Sequence, residues 1–170
     1  MPHLDAAKLQ QLIDAHGPAL TLYARQWCSH PDDAVQEAWI ELVRQDPVPN
    51  SVVAWLHTAV RRRAMNLSRA EQRRRDHHRR AAAERPDWFV AEPVGDDEVD
   101  FQQLLQSLPL LDREIIVARV WGELSFAEIA ALVERPLSSV HRHYQNSLEL
   151  LEQLMRRTID APLSSESCHE

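Results

Sequence analysis

Glycine is nearly missing from this chain, with 3 in 170 residues, so there is no glycine-rich loop to cradle phosphates and little material for tight turns. The 2 cysteines, Cys28 and Cys168, are too few for a disulfide frame or a cysteine-built zinc site. No nucleophile elbow and no metal-ligand spacing occurs; Cys28-Ser29-His30 is isolated, and the neighbouring His77 and His78 would point apart on a helix. The chain is therefore expected not to be an enzyme, with no catalytic residues, no cofactor and no metal. Long apolar runs are missing too, and the N-terminus carries Asp5 and Lys8 early in an amphipathic segment rather than a cleavable leader. The expectation is a cytoplasmic protein without membrane insertion. Apolar-polar alternation persists nowhere, which leaves helices and an all-α class.

What is present is charge, and it is segregated. The net charge is −7. Residues 61–85 hold 10 Arg against Glu71, Asp76 and Glu84, a local balance of +7, so the remainder sums to −14. Of the 19 basic residues 18 are Arg, which suits bidentate contacts with phosphates and base edges; a GC-rich coding bias would give the same excess. The stretch 86–100 reverses the sign, with six acids, two prolines, Gly95 and no basic residue, and reads as a linker. Its charge either shields the arginines before it or is simply solvated.

The apolar spacing sets out the helices in order. Leu9, Leu12 and Ile13 give a short first face ended by Gly17 and Pro18, and Leu20, Tyr23, Ala24 and Trp27 give a second, with Cys28 in helix. Pro31 with Asp32 and Asp33 starts the next helix, where carboxylates suit the positive end of the dipole. It buries Val35, Ala38, Leu42 and Val43, leaves Asp32, Asp33, Gln36, Glu37 and Glu41 outside, and holds Trp39 at the boundary. That acidic face is a docking surface or a solvated one. After a proline loop, Ser51 caps a helix with Val52, Trp55, Leu56, Ala59, Val60 and Arg63 in register. No apolar stripe continues past Leu67, so 73–80 is an exposed helical extension or a segment ordered by a polyanion; it either touches phosphate or is merely solvated. Beyond the linker, Phe101, Leu104, Leu105 and Leu108 make a helix ended by Pro109, and Asp112 caps another containing Ile116 and Val120, closed by Gly122.

The stretch 124–144 predicts a helix-turn-helix. Ser125 and Glu128 have capping-box spacing, and Phe126, Ile129, Ala130 and Val133 form one buried stripe. Glu134 stands in the turn where glycine is usual, so either a left-handed residue there is strained or the turn differs from the usual one. After Pro136 a second helix buries Val140, Tyr144, Leu148 and Leu151. Its outer face carries Ser138, Ser139, His141, Arg142 and Gln145, short donors and acceptors with one guanidinium, suited to reading base edges in a major groove. An ordinary solvated hairpin is the alternative.

Taken together these pieces resemble the extracytoplasmic-function (ECF) sigma factors, small two-domain members of the main bacterial sigma family. PDDAVQEAWIEL at 31–42 looks like the family's polymerase-binding helix, and VVAWLHTAVRRRAMNLSR at 52–69 like its promoter-melting helix. SLPLLDREIIVARVWGELSFAEIAALVERPLSSVHRHY at 107–144 matches the C-terminal domain in order and spacing. Arg62 stands where the family usually has Asn, Asn66 where it has Asp, and Ser139-Val140-His141-Arg142-His143 replaces the common Thr-Val-x-Ser-Arg.

The resemblance implies an N-terminal sigma domain at 1–85, a linker at 86–100, a helix-turn-helix domain at 101–158 and a tail at 159–170. It implies a transcription initiation factor that binds core RNA polymerase, directs it to promoter DNA and helps open the duplex. An anti-sigma factor is a further partner it allows. Asp32, Asp33, Gln36, Glu37, Trp39 and Glu41 would face the polymerase. Asn50, Ser51, Trp55, His57, Arg61, Arg62, Arg63, Arg69 and Arg73 would hold the −10 element, where an unstacked base needs a pocket and phosphates need cations. Ser138, Ser139, His141, Arg142, His143 and Gln145 would read the −35 element. Two rivals remain: a stand-alone helix-turn-helix regulator, and a sigma-like decoy that holds a partner without initiating transcription.

Overall fold

The computed structural model describes residues 4–81 and 101–160, so the expected linker at 86–100 and residues 161–170 of the expected tail lie outside the described residues. Seven helices are described and no strand: α1 (Ala6–Ala24), α2 (Pro31–Val43), α3 (Val52–Ala81), α4 (Phe101–Gln106), α5 (Leu110–Val120), α6 (Phe126–Val133) and α7 (Leu137–Asp160). The all-α expectation holds for these residues.

The first helix corrects one reading. Asp5 caps it by accepting from the Lys8 amide at 2.7 Å, and it runs unbroken through Gly17 and Pro18 to Ala24. A residue before proline normally avoids helix because its Cβ meets the proline ring, and Gly17 has no Cβ. Pro18 is exposed, so the carbonyl it leaves unpaired faces water. Beyond it Leu20, Tyr23 and Ala24 are completely buried, at about 1.5–3 kcal/mol for each large side chain, which offsets the cost of the proline. Cys28 is not helical; it sits buried in the turn that follows.

Helix α2 starts with Pro31 in its first turn and Asp32 and Asp33 beside it, and it buries Ala34, Val35, Ala38, Trp39 and Leu42. Val43, expected inside, is 55% exposed, because one step past Leu42 turns about 100° away from the core. In α3 the core positions are Leu56, His57, Ala59, Val60 and Ala64, and residues 72–78 are an exposed helical extension.

In the C-terminal half Pro109, not Asp112, stands at the N-cap of α5, and Asp112 lies within the first turn. Ser125 and Glu128 form the capping box of α6 in both directions. That helix ends on Glu134 in the left-handed region, φ 55° and ψ 47°, with its amide and that of Arg135 closing on the Ala130 carbonyl. Helix α7 buries Val140, Ser147 and Leu151, whereas Leu148 is 42% exposed and Val120 of α5 is 49% exposed. These two apolar residues line an open groove between α5 and α7 instead of filling the core.

Helices α1 to α3 pack as one group, and α5 to α7 as another with α4 laid against α7. The groups are not separate: α1 packs on α5 and α3 on α6, and the buried side chains of both belong to one continuous core.

Candidate nucleic-acid and polymerase surfaces

The second helix of the helix-turn-helix presents Ser138, His141, Arg142 and Gln145 to solvent, with Ser139 half-buried. Two of its side chains are held from behind. His141 lies against Phe126 with ring centroids 4.1 Å apart, and the Arg119 guanidinium covers that phenyl ring at 4.7 Å while donating to the Leu124 carbonyl at 2.8 Å. His143 turns from the outer face to Asp112, with Nδ1 and Oδ1 2.6 Å apart. Asp112 therefore binds a neighbouring helix where a capping role was expected.

On α2, Asp32, Asp33, Gln36 and Glu37 are exposed and Glu41 is half-buried. Arg62 donates to both oxygens of Glu41 at 2.7 Å, and Arg63 reaches Glu37 at 2.9 Å and Glu41 at 3.0 Å. Hydrogen bonds from Arg62, and then from Arg63, hold the Glu41 carboxyl below its ordinary range despite some desolvation. Trp39, 8% exposed, supports this face from within and is not part of it.

The start of α3 is only partly open. Asn50 and Ser51 are exposed, and Ser51 Oγ donates to Glu128 Oε1 at 2.7 Å. Trp55 is half-buried. His57 is fully buried; its Nδ1–H donates to the Val53 carbonyl at 2.9 Å, and its ring meets Tyr23 edge-on with centroids 5.1 Å apart. That bond fixes the tautomer, and Nε2 is left buried without a partner. Burial pushes the imidazole below its ordinary pKa. Arg61 Nε donates to Glu114 Oε1 at 2.7 Å, with the guanidinium 5.4 Å from the Trp27 ring centroid. The Tyr23 hydroxyl donates to the same oxygen; burial first, and then Glu114, raise its pKa well above the ordinary value. Farther along α3, Arg69 and Arg73 are exposed, and Glu71 bonds back to Ser29 and His30.

Comparison with known proteins identifies the two helical groups. The family profile "Sigma-70 region 2" matches residues 12–74, and "Sigma-70, region 4" matches residues 98–151. The chain belongs to the sigma-70 family. The sigma factor RpoE in complex with the anti-sigma factor NepR, from Bartonella quintana, aligns with a TM-score of 0.60 at 23% identity, over 86% of this chain and 95% of that one. CnrH in complex with the cytosolic domain of CnrY aligns with a TM-score of 0.55 at 22% identity, over 92% of each. At such identities the likeness shows the fold. No curated protein sequence matches the chain.

In this sigma factor α1 to α3 are therefore region 2 and α4 to α7 region 4. The expected −35 residues lie together along one helix, except that His143 is engaged by Asp112. The expected polymerase acids also lie together, with Glu37 and Glu41 already paired to Arg62 and Arg63. Those expected at the −10 element are split: Arg62, Arg69 and Arg73 are exposed, whereas His57 is enclosed and Ser51 and Arg61 are held by region 4.

Glu114 was not among the sequence candidates, yet it joins region 2 to region 4. The signal for it was present. Glu114, Val117 and Ala118 fall at i, i+3 and i+4 on α5, so a carboxylate occupies an apolar stripe, and a buried carboxylate requires donors. Which donors it takes could not be read locally, because Tyr23 and Arg61 lie 91 and 53 residues away.

Proposed function

We propose that this sigma factor binds core RNA polymerase, directs it to promoter DNA and helps separate the strands there, while the chemistry of RNA synthesis stays with the polymerase. The observation that carries this is the presence of region 2 and region 4 in order on one chain, the second bearing an exposed helix-turn-helix face. Ser138, Ser139, His141, Arg142 and Gln145 are assigned to the −35 element, with His143 as a contact only once it leaves Asp112. Asn50, Ser51, Trp55, His57, Arg61, Arg62, Arg63, Arg69 and Arg73 are assigned to the −10 element.

Asp32, Asp33, Gln36, Glu37 and Glu41 are assigned to the polymerase, with Trp39 holding α2 in place beneath them. Among the described residues no helix is long and apolar enough to cross a membrane, and the proposed work is done in the cytoplasm with the polymerase. RpoE is solved with the anti-sigma factor NepR, which makes a sequestering protein a reasonable partner for this chain as well.

The test is retention of purified core polymerase by the immobilised protein. Reversal of Asp33 and Glu37 to Arg is expected to abolish retention with the helical circular dichroism unchanged, since charge complementarity across a docking face is lost. Undiminished retention would return these acids to a solvated face.

A further inference from the structure

His141 differs from its neighbours on the outer face of α7 in having a support built beneath it. Phe126 is the first residue of α6, and two contacts fix the backbone that leads into it: the capping box of Ser125 and Glu128, and the Arg119 guanidinium donating to the Leu124 carbonyl at 2.8 Å. The same guanidinium lies over the phenyl ring, 4.7 Å from its centroid, and Tyr144 meets that ring edge-on at 5.1 Å. The His141 imidazole packs on the ring so held, with centroids 4.1 Å and planes 39° apart. His141 is itself exposed, and its ring nitrogens have no partner among the described residues. Ser138, Arg142 and Gln145 on the same face carry neither a ring contact nor a side-chain bond among the described residues.

An exposed side chain that reads a base must give up its rotamer freedom on binding, which costs roughly two- to tenfold in affinity for each residue ordered. His141 is ordered before DNA arrives, whereas Arg142 and Gln145 are not. Arginine suits the position beneath it for a stated reason. Its flat guanidinium can cover the phenyl ring and reach the Leu124 carbonyl at once; a lysine ammonium keeps the charge and a donor but has no plane to lay on the ring.

We propose that Arg119 and Phe126 are positioning residues for promoter choice: they fix the His141 imidazole beside the start of α6, so that its ring nitrogens, a donor and an acceptor when neutral, meet one base pair of the −35 element in a set direction. The inference rests on the assignment of the α7 face to the −35 element, so its test must separate a failure of the support from a failure of that assignment.

The experiment uses holoenzyme and a promoter from a start site mapped with this protein, randomised over its −35 element, with bound and free DNA sequenced. The variants are His141→Ala, Arg119→Lys, the two combined, and Arg157→Lys as the same exchange at an exposed site on α7. His141→Ala is expected to remove discrimination at one base pair. Arg119→Lys should weaken discrimination at that same base pair roughly two- to tenfold, with the other positions as in the Arg157→Lys control. Added to His141→Ala, it should change the preference no further, which a merely structural role or a phosphate contact would not produce. An Arg119→Lys holoenzyme that matches the control, loses binding to all sequences alike, or changes preference at a different base pair overturns the support and leaves the α7 assignment standing. A His141→Ala holoenzyme with unaltered preferences also overturns it, and locates the failure in the assignment of His141 to the −35 element. Should Arg119→Lys lose its helical circular dichroism, Phe126→Leu, which keeps an apolar residue but no ring, replaces it with the same outcomes read in the same way.

Discussion

Replacing Tyr23 by Phe removes one hydroxyl and nothing else from the junction between the regions. The ring keeps its place in the core and its edge-on packing with His57. What disappears is a buried donor to Glu114, which among the described residues keeps Arg61 as its side-chain donor. Hydrogen bonds to charged groups contribute about 1.5–3 kcal/mol, and the lower end applies because Arg61 continues to serve the same oxygen. A loss of about 1.5 kcal/mol corresponds to a fall in Tm of roughly 3–6 °C for a chain of this size. Calorimetry and urea titration should agree, with the midpoint shifted and the slope unchanged. Scattering should also show some loosening, since the bond ties α1 to α5. A Tm equal to or above that of the parent would refute the reasoning, because the hydroxyl would then contribute nothing that water does not.

Other expectations follow from single sites. Glu134→Gly relieves a left-handed residue and should raise stability by about 0.5–1 kcal/mol, seen as a higher urea midpoint; a lower midpoint would mean that the glutamate side chain outweighs its backbone strain. Burial lowers the His57 pKa, so an opened or unfolded chain takes up a proton first. The stability it contributes is complete above about pH 6.5 and is lost as pH falls from there through the folded-state value, and His57→Phe should flatten the dependence of Tm on pH across that window. Arg142→Ala should change which promoters the holoenzyme uses, by about 1–3 kcal/mol at the affected position. Neutralising Arg73, Arg74 and Arg75 should instead weaken all promoters alike and reduce the salt slope by about one unit for each phosphate that is no longer neutralised. Binding of both variants to a promoter panel at several salt concentrations separates them, and exchanged outcomes would reverse the roles.

What could be read from sequence was what is encoded locally. The capping box of Ser125 and Glu128, the left-handed Glu134, the start of α2 at Pro31 and the exposed end of α3 each depend on residues within a turn or two. Errors arose where a local rule met a compensating context. Gly17 makes Pro18 tolerable inside α1, and Asp112 has a better partner in His143 than in its own backbone. Val43 and Leu148 fit the apolar period but point past the edge of the core. The candidate surfaces were legible as stripes on single helices. Their engagement was not, because Ser51 with Glu128 and Arg61 with Glu114 pair across 77 and 53 residues, and no periodicity carries that information.

The central claim is that this chain gives core polymerase its choice of promoter. The direct measurement is transcription from whole genomic DNA by core polymerase with and without the protein, with every 5′ end mapped. New start sites should appear only when the protein is present, and share two short sequence elements at fixed distances upstream, one altered in the start sites used by the Arg142→Ala variant. Start sites identical with and without the protein would contradict the account.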